Sequence, residues 1–276
     1  MSTLYLVATP IGNLEDISAR ALRILREVKL IACEDTRHSG KLLSHFDIHT
    51  PTTSYFEFNK RKKLDPVLKV LDKGDVALIS DAGTPGLNDP GFLLVQAALD
   101  AGHIVSPIPG PSAPLAALVS SGLSTDAFLY LGYLPRKSGE RVQALQQVVE
   151  LPYTLIWLET PHRLVESLTD MQQVLGQRQI AVAGELTKMY EEIFRGTILQ
   201  AIVQFTSHPA RGEYTLVVAG AMENDEKWDE AKLTSVLTYE LGTGEPLSNI
   251  AKDIAKRSGW PRRQVYQRLT DLQAKS

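Results

Sequence analysis

From Leu4 to Ala113 the chain alternates short apolar runs with amphipathic stretches, and each run ends in a loop that stops it. Leu4–Ala8 stops at Thr9-Pro10-Ile11-Gly12-Asn13, and Leu30–Ala32 runs into Glu34-Asp35-Thr36-Arg37-His38. Val76–Ile79 stops at Ser80-Asp81-Ala82-Gly83-Thr84-Pro85-Gly86, and Ile104–Ile108 at Pro109-Gly110-Pro111-Ser112-Ala113. Proline removes a backbone donor and glycine takes tight turns, so most of these are strand ends marked in the sequence. Between them Ile17, Ala21, Ile24, Leu25 and Val28 recur at helical spacing, as do Leu64, Val67, Leu68 and Leu71. A further helix is expected from Pro90 to Gly102. Such β-α alternation predicts a mostly parallel, doubly wound α/β sheet.

Strand-like runs continue at Phe128–Leu131, Leu155–Leu158, Ile180–Ala183 and Tyr214–Ala219, with helical segments at 141–150 and 162–175. A boundary near Gly122–Asp126 is expected, giving one α/β domain at 1–122 and a second at 123–222. Residues 223–245 carry seven acidic against two basic side chains and read as an acidic linker. The sign then reverses: residues 247–276 carry seven basic against two acidic. Leu247, Ile250, Ala251, Ile254 and Ala255 share a helical face, Ser258-Gly259-Trp260 interrupts, and Pro261 suits the first turn of a second helix. Residues 246–276 therefore read as a helix-turn-helix, with Lys256, Arg257, Arg262 and Arg263 placed for nucleic-acid phosphates. A solvated amphipathic tail or a dimerisation element remains the other use of this pattern. Arg136, Lys137, Arg141 and the Lys60–Lys63 run read as exposed helix ends that would extend the basic track.

Several classes drop out on composition. With 43% hydrophobic and 22% charged residues, the chain has the makings of an ordinary packed core. The lone Cys33 excludes an intrachain disulfide and a cysteine-rich zinc cluster, and fits a reducing compartment. No apolar run approaches the roughly 18–20 residues that span a bilayer, and Met1–Ala8 lacks the basic lead of a signal peptide. A cytoplasmic protein without a membrane partner is expected. Neither a Gly-x-Gly-x-x-Gly fingerprint nor a P-loop is present. His45 and His49 have metal-like spacing but no third ligand nearby, so no metal is expected.

In a doubly wound sheet, ligands bind where loops converge at the carboxyl ends of strands. Three of those loops here are rich in proline and glycine, which lets backbone approach a ligand closely with little ordering cost. They suit a flat, polar ligand such as an adenosine.

These loops, in this order and with Gly184-Glu185-Leu186-Thr187-Lys188 further on, resemble the ribosomal-RNA-methylating branch of the tetrapyrrole methylase-like family. The resemblance covers essentially the whole chain. It implies two α/β domains with S-adenosylmethionine in the cleft between them, a small C-terminal helix-turn-helix, and usually a homodimer. It also implies 2′-O-methylation of a cytidine ribose in the decoding region of 16S rRNA, with the rRNA or small ribosomal subunit as partner and no DNA. Carried onto this sequence, Pro10, Ile11, Asp81, Gly83, Thr84, Ser112, Ala113 and Leu158 would surround the cofactor. Lys188 would serve as base or as a cation for the developing oxyanion, Glu185 would orient it, and Glu159 is a second carboxylate candidate. Arg37 would grip the neighbouring phosphate with its fork. A small-molecule, tetrapyrrole-type methyltransferase and a non-catalytic ribosome-assembly protein are the competing readings.

Overall fold

The structure is a computed structural model that describes residues 2–56, 60–208, 212–221, 228–242 and 245–273, without the side chains of Lys60, Arg61 and Lys256. The expected phosphate contact at Lys256 and the start of the acidic run therefore lie outside the described residues. The chain divides into two compact units, Met1–Gly220 and Ala221–Ser276.

The first unit begins with β1 (Thr3–Val7), α1 (Ala19–Glu27), β2 (Leu30–Cys33), α2 (Thr36–His45) and β3 (Thr52–Ser54). It continues with α3 (Lys60–Leu71), β4 (Val76–Ile79), α4 (Phe92–Asp100), β5 (Ile104–Ile108) and α5 (Ala113–Ser121). The five strands form one parallel sheet in the order β3-β2-β4-β1-β5, with Leu4 of β1 opposite Val76 and Val105. Helices cover both faces, which is why β4 is apolar at every position. Ala77 and Ile79 pack on one side with Ile24, Leu25 and Leu43, while Val76 and Leu78 pack on the other with Leu71 and Leu94. Ser18 caps α1 by accepting from the Ala21 N–H, and Asp35 caps α2 by accepting from the Arg37 N–H, each worth about 1 kcal/mol.

The second sheet is built from β6 (Phe128–Tyr133), α6 (Ser138–Gln146), β7 (Thr154–Glu159), α7 (Leu164–Leu175) and β8 (Gln179–Gly184). β9 (Glu192–Thr197), α8 (Ile198–Ser207) and β10 (Tyr214–Val218) complete it. Its order is β6-β7-β10-β8-β9, and only the β6–β7 pair is parallel. One face buries Leu155, Trp157, Val182 and Leu216 under the helices of this half. The other packs Ile156, Ala181, Ala183 and Val217 against Ala117 and Leu118 of α5. The last helix of the first half thus seals the second sheet, and the two sheets share one unit across the expected boundary at Gly122–Asp126.

Arg141 corrects one expectation. It is 2% exposed, pairs with Asp170 at 2.6 Å and donates to the carbonyls of Pro135 and Arg136, so it is a structural cation rather than an exposed helix end. A buried guanidinium survives only with such partners.

The second unit holds three helices, α9 (Glu230–Leu241), α10 (Leu247–Ser258) and α11 (Arg262–Gln273). α9 lies inside the stretch expected to be a linker. Asp229 caps it with an acceptor 2.7 Å from the Lys232 N–H, and Leu233 and Leu237 enter a core with Ile250, Ile254, Val265 and Leu269. Two amphipathic helices leave one flank of their apolar seam open to water, and α9 closes it.

Candidate active-site cavity

Three strand ends meet above β1. Thr9 and Gly83 form a bridge between the loops after β1 and β4, and Gly83 takes φ +77°, where glycine is at ease. Thr84 ties the second loop to the third by donating its hydroxyl to the Pro111 carbonyl at 3.3 Å. The segment after β8 comes in from the other sheet. A Cβ on Gly12 would lie 2.5 Å from Cγ of Lys188 and 2.8 Å from the Leu186 carbonyl, so only glycine lets these loops touch.

These elements enclose a cavity of about 290 Å³. Ile11, Asp81, Gly83, Thr84, Ser112 and Ala113 line it from the first sheet's loops, and Leu158, Glu185 and Lys188 from the second half. Two expected residues are placed elsewhere. Pro10 lines a neighbouring hollow instead. Glu159 is 0% exposed: Arg163, the Thr160 N–H and the Ser167 hydroxyl hold its carboxylate at 2.6–2.7 Å, and it does not line the cavity. Its work is to fasten β7 to α7.

The cavity also gathers Glu34, from the charged loop after β2, and residues that no sequence motif marked: Asn88, Asp89, Tyr130 and Glu213. Asn88 sits at φ +61° and accepts a 2.6 Å hydrogen bond from the Tyr130 hydroxyl. Glutamates and aspartates dominate the charge. Glu34, Asp81, Asp89, Glu185 and Glu213 face a single ammonium, Lys188, among the described lining residues. Burial pushes Asp89 up to about 6, helped by the negative charges of Glu34, Asp81 and Glu213 and opposed by a hydrogen bond from Ser80. Glu34 is raised by burial first and then by Asp81. Burial also lifts the Tyr130 phenol to about 12.

Lys188 donates to Glu185 Oε1 at 2.7 Å across a turn that holds Glu185 at φ +49° and Thr187 at φ +65°. Two non-glycine residues in the left-handed region within three positions store strain of the kind found at functional sites.

The expected phosphate-binding residues are distributed unevenly. Arg37 has a side chain 90% exposed and leans on Asp35 at 3.0 Å, which holds the Asp35 carboxyl down at about 2. In the second unit Arg257 pairs with Asp253 at 2.9 Å, whereas Arg262 and Arg263 are exposed at the start of α11. Arg268 pairs with Glu230 at 2.6 Å and lies over the Trp260 ring at 4.8 Å, so it joins α11 to α9. No group of three or more potential metal ligands gathers among the described residues, and His49 pairs with Asp47 at 2.9 Å. No helix among them is long and apolar enough to cross a membrane.

Comparison with known proteins agrees with this architecture. The profile of the family described as Tetrapyrrole (Corrin/Porphyrin) Methylases matches residues 3–202. A Synechocystis protein named Ribosomal RNA small subunit methyltransferase I is 47% identical over 99% of both chains. Its namesake from Pseudomonas aeruginosa is 46% identical, again over 99% of each. Among solved structures, uroporphyrin-III C-methyltransferase from Thermus thermophilus, complexed with S-adenosylhomocysteine, superposes with TM-score 0.55 at 18% identity, over 78% of this chain and 97% of that one. The methyltransferase CobJ superposes with TM-score 0.59 at 16% identity, over 80% and 95%. With the profile spanning most of the first unit and relatives alike from end to end, the chain belongs to the tetrapyrrole methylase family, in its ribosomal RNA small subunit methyltransferase I branch.

Proposed function

We propose that the protein methylates the ribose 2′-oxygen of a cytidine in the decoding region of 16S rRNA, with S-adenosylmethionine as donor. The observation that carries this reading is the charge of the cavity: five carboxylates around a space of about 290 Å³, walled by close-approach backbone loops. A cationic sulfonium is favoured by such walls, and the small residues at Gly83, Ser112 and Ala113 leave backbone groups free to meet an adenosine. The donor supplies an electrophilic methyl group that leaves a neutral thioether behind. The rest is placement, since a nucleophile held in line gains most of its rate from position.

The chain's own residues then handle the hydroxyl. Lys188, already an ammonium paired with Glu185, is suited to stabilise oxygen as it becomes anionic. Asp89, near 6, is ionised at neutral pH yet basic enough to take the hydroxyl proton. Glu159 has no part, because its oxygens are engaged inside the second half. Arg37 and the exposed Arg262 and Arg263 serve as phosphate contacts. Exposed Phe92, Leu99, Ile104, Leu115 and Val119 on α4, α5 and edge strand β5 support a homodimer, working in the cytoplasm where ribosomal subunits are assembled.

A tetrapyrrole substrate is the second reading, since solved structures with this fold include a uroporphyrin-III C-methyltransferase. The names of the full-length relatives and the exposed arginines favour RNA instead. The test is mass mapping of 16S rRNA from cells lacking the protein. Loss of one 2′-O-methyl cytidine, restored by the purified protein and donor, is the expected result. An unchanged rRNA map refutes the assignment.

A further inference from the structure

Beside the donor cavity lies a second hollow of about 230 Å³, and Asp81 belongs to the walls of both. Its floor is apolar, from Pro10, Leu14 and Leu42. Its rim is set by α2, where residues 38, 41, 42 and 45 follow the spacing of one helical face. That face presents His38, Lys41 and His45, all exposed, around the half-buried Leu42. None of the three enters an ion pair among the described residues. The character of the wall thus reverses across Asp81. Carboxylates lie on the donor side, and an ammonium and two imidazoles lie on the α2 side. Asp81 itself stands at the boundary, its Oδ1 accepting from the Asp35 N–H at 3.1 Å.

We propose that this hollow holds the ribose–phosphodiester segment flanking the acceptor nucleotide of a single-stranded RNA. The inference rests on the methyl-transfer reading above and adds where the strand enters. Three features select this occupant. Lys41 supplies a point charge for a phosphate, and the imidazoles supply ring N–H groups and flat faces on which an unstacked base rests. The apolar floor suits the carbon face of a sugar rather than a bare anion. The shared wall at Asp81 lets the next nucleotide of the same strand present its sugar oxygen to the donor cavity. A hollow of 230 Å³ has no room for a duplex, so the segment is read in unpaired form.

The experiment measures binding of a short, labelled, single-stranded cytidine-containing RNA by fluorescence anisotropy across a salt series. Parent protein is compared with Lys41→Ala and with the triple variant His38→Ala, Lys41→Ala, His45→Ala. Donor affinity is read by calorimetry, and methylation is read on small subunits from cells lacking the protein. Lys41→Ala is expected to weaken RNA binding about tenfold and lower the slope of log affinity on log salt by about 0.7. The triple variant weakens it further and raises the subunit concentration needed for half-maximal methylation, while donor affinity stays within about twofold. Full RNA affinity in the triple variant of a parent that methylates overturns the subsite alone. Competition by inorganic phosphate as effective as by the RNA also overturns it, by reducing the hollow to an anion site. A parent that neither binds donor nor methylates subunits overturns the reading beneath, and the subsite with it.

Discussion

Thr9 and Gly83 exchange two backbone hydrogen bonds, 2.9 Å from the Thr9 N–H to the Gly83 carbonyl and 3.0 Å in the opposite direction. The pair fixes the loops after β1 and β4 to one another before any ligand arrives, so little entropy remains to be lost on binding. Gly83 does this at φ +77°, with 3.4 Å from its ideal Cβ position to Cγ2 of Ile11. Space therefore exists for a methyl group, and the cost of Gly83→Ala is in the backbone, about 1 kcal/mol. A fall of about 2–4 °C in melting temperature is expected. Gly86→Ala is the control, because Gly86 has φ +86°, open space around it and no place in the cavity wall. Both variants should lose similar stability, and only Gly83→Ala should lose donor affinity by calorimetry. Equal donor affinity in the two would detach the bridge from binding.

Lys188 should separate chemistry from binding. Its ammonium sits at the cavity edge on a strained turn, tied to Glu185 at 2.7 Å. Lys188→Ala is expected to lower the methylation rate about 100-fold or more, as removal of a charge-stabilising group does. Calorimetric donor affinity should stay close to that of the parent, since the donor meets several other walls. Unchanged turnover would remove Lys188 from the reaction.

The sequence made β1, β4 and β5 legible because each is a short apolar run closed by a proline- or glycine-bearing loop. β3 escaped because Thr52–Ser54 is three polar residues on a sheet edge, with no periodicity to read. β9, Glu192–Thr197, on an edge of the second sheet, escaped because its two apolar residues, Ile193 and Phe194, are adjacent and show no alternation. α9 was hidden by its own acidic composition, although Leu233 and Leu237 carry the helical spacing that builds its core. The site shows a similar divide. Loop residues such as Asp81 and Thr84 stand in recognisable punctuation, whereas Asp89, Tyr130 and Glu213 come from segments that only folding brings together. Glu159 shows the limit of strand-end reasoning. A strand end names a carboxylate, but Leu158 lines the cavity while the adjacent Glu159 is held by Arg163 and Ser167.

Asp89 makes the protein's behaviour depend on pH near 6. Its folded value of about 6 lies above the usual carboxylate value of about 3.9, so folding favours the neutral acid. That stabilisation is complete below about pH 4 and is lost as pH rises through about 6. Asp89→Asn, which stays neutral, should therefore be more stable than the parent at pH 8, with no such advantage at pH 4. Catalysis runs the other way, since a proton acceptor must be ionised. Methylation by the parent should rise through about pH 6, and Asp89→Asn should be slow at every pH. Thermal melts and single-turnover rates at pH 4 to 8 provide both curves. A parent rate profile flat across pH 6 would exclude Asp89 as the acceptor.

The C-terminal unit divides its arginines into two kinds, and variants should tell them apart. Arg268 is clasped by Glu230 at 2.6 Å and covers the Trp260 ring, so Arg268→Ala should loosen α11 from α9 with a small loss of stability. Arg262 and Arg263 are exposed at the start of α11, outside the core of Leu233, Leu237 and Val265. Removing both charges leaves that core intact and takes away the two proposed phosphate contacts. Their double alanine variant should reduce the slope of log affinity on log salt by about 1.4–1.8 for small-subunit RNA, with the melting curve unchanged. A truncation is informative only if it ends at Gly220, because a cut at Glu245 strands Leu233 and Leu237 without the helices that cover them. Residues 1–220 should then keep donor affinity and lose RNA affinity in steps matched by the arginine variants. Should the truncated protein hold RNA as tightly as the whole chain, with the same salt slope, the phosphate contacts belong to the first unit alone.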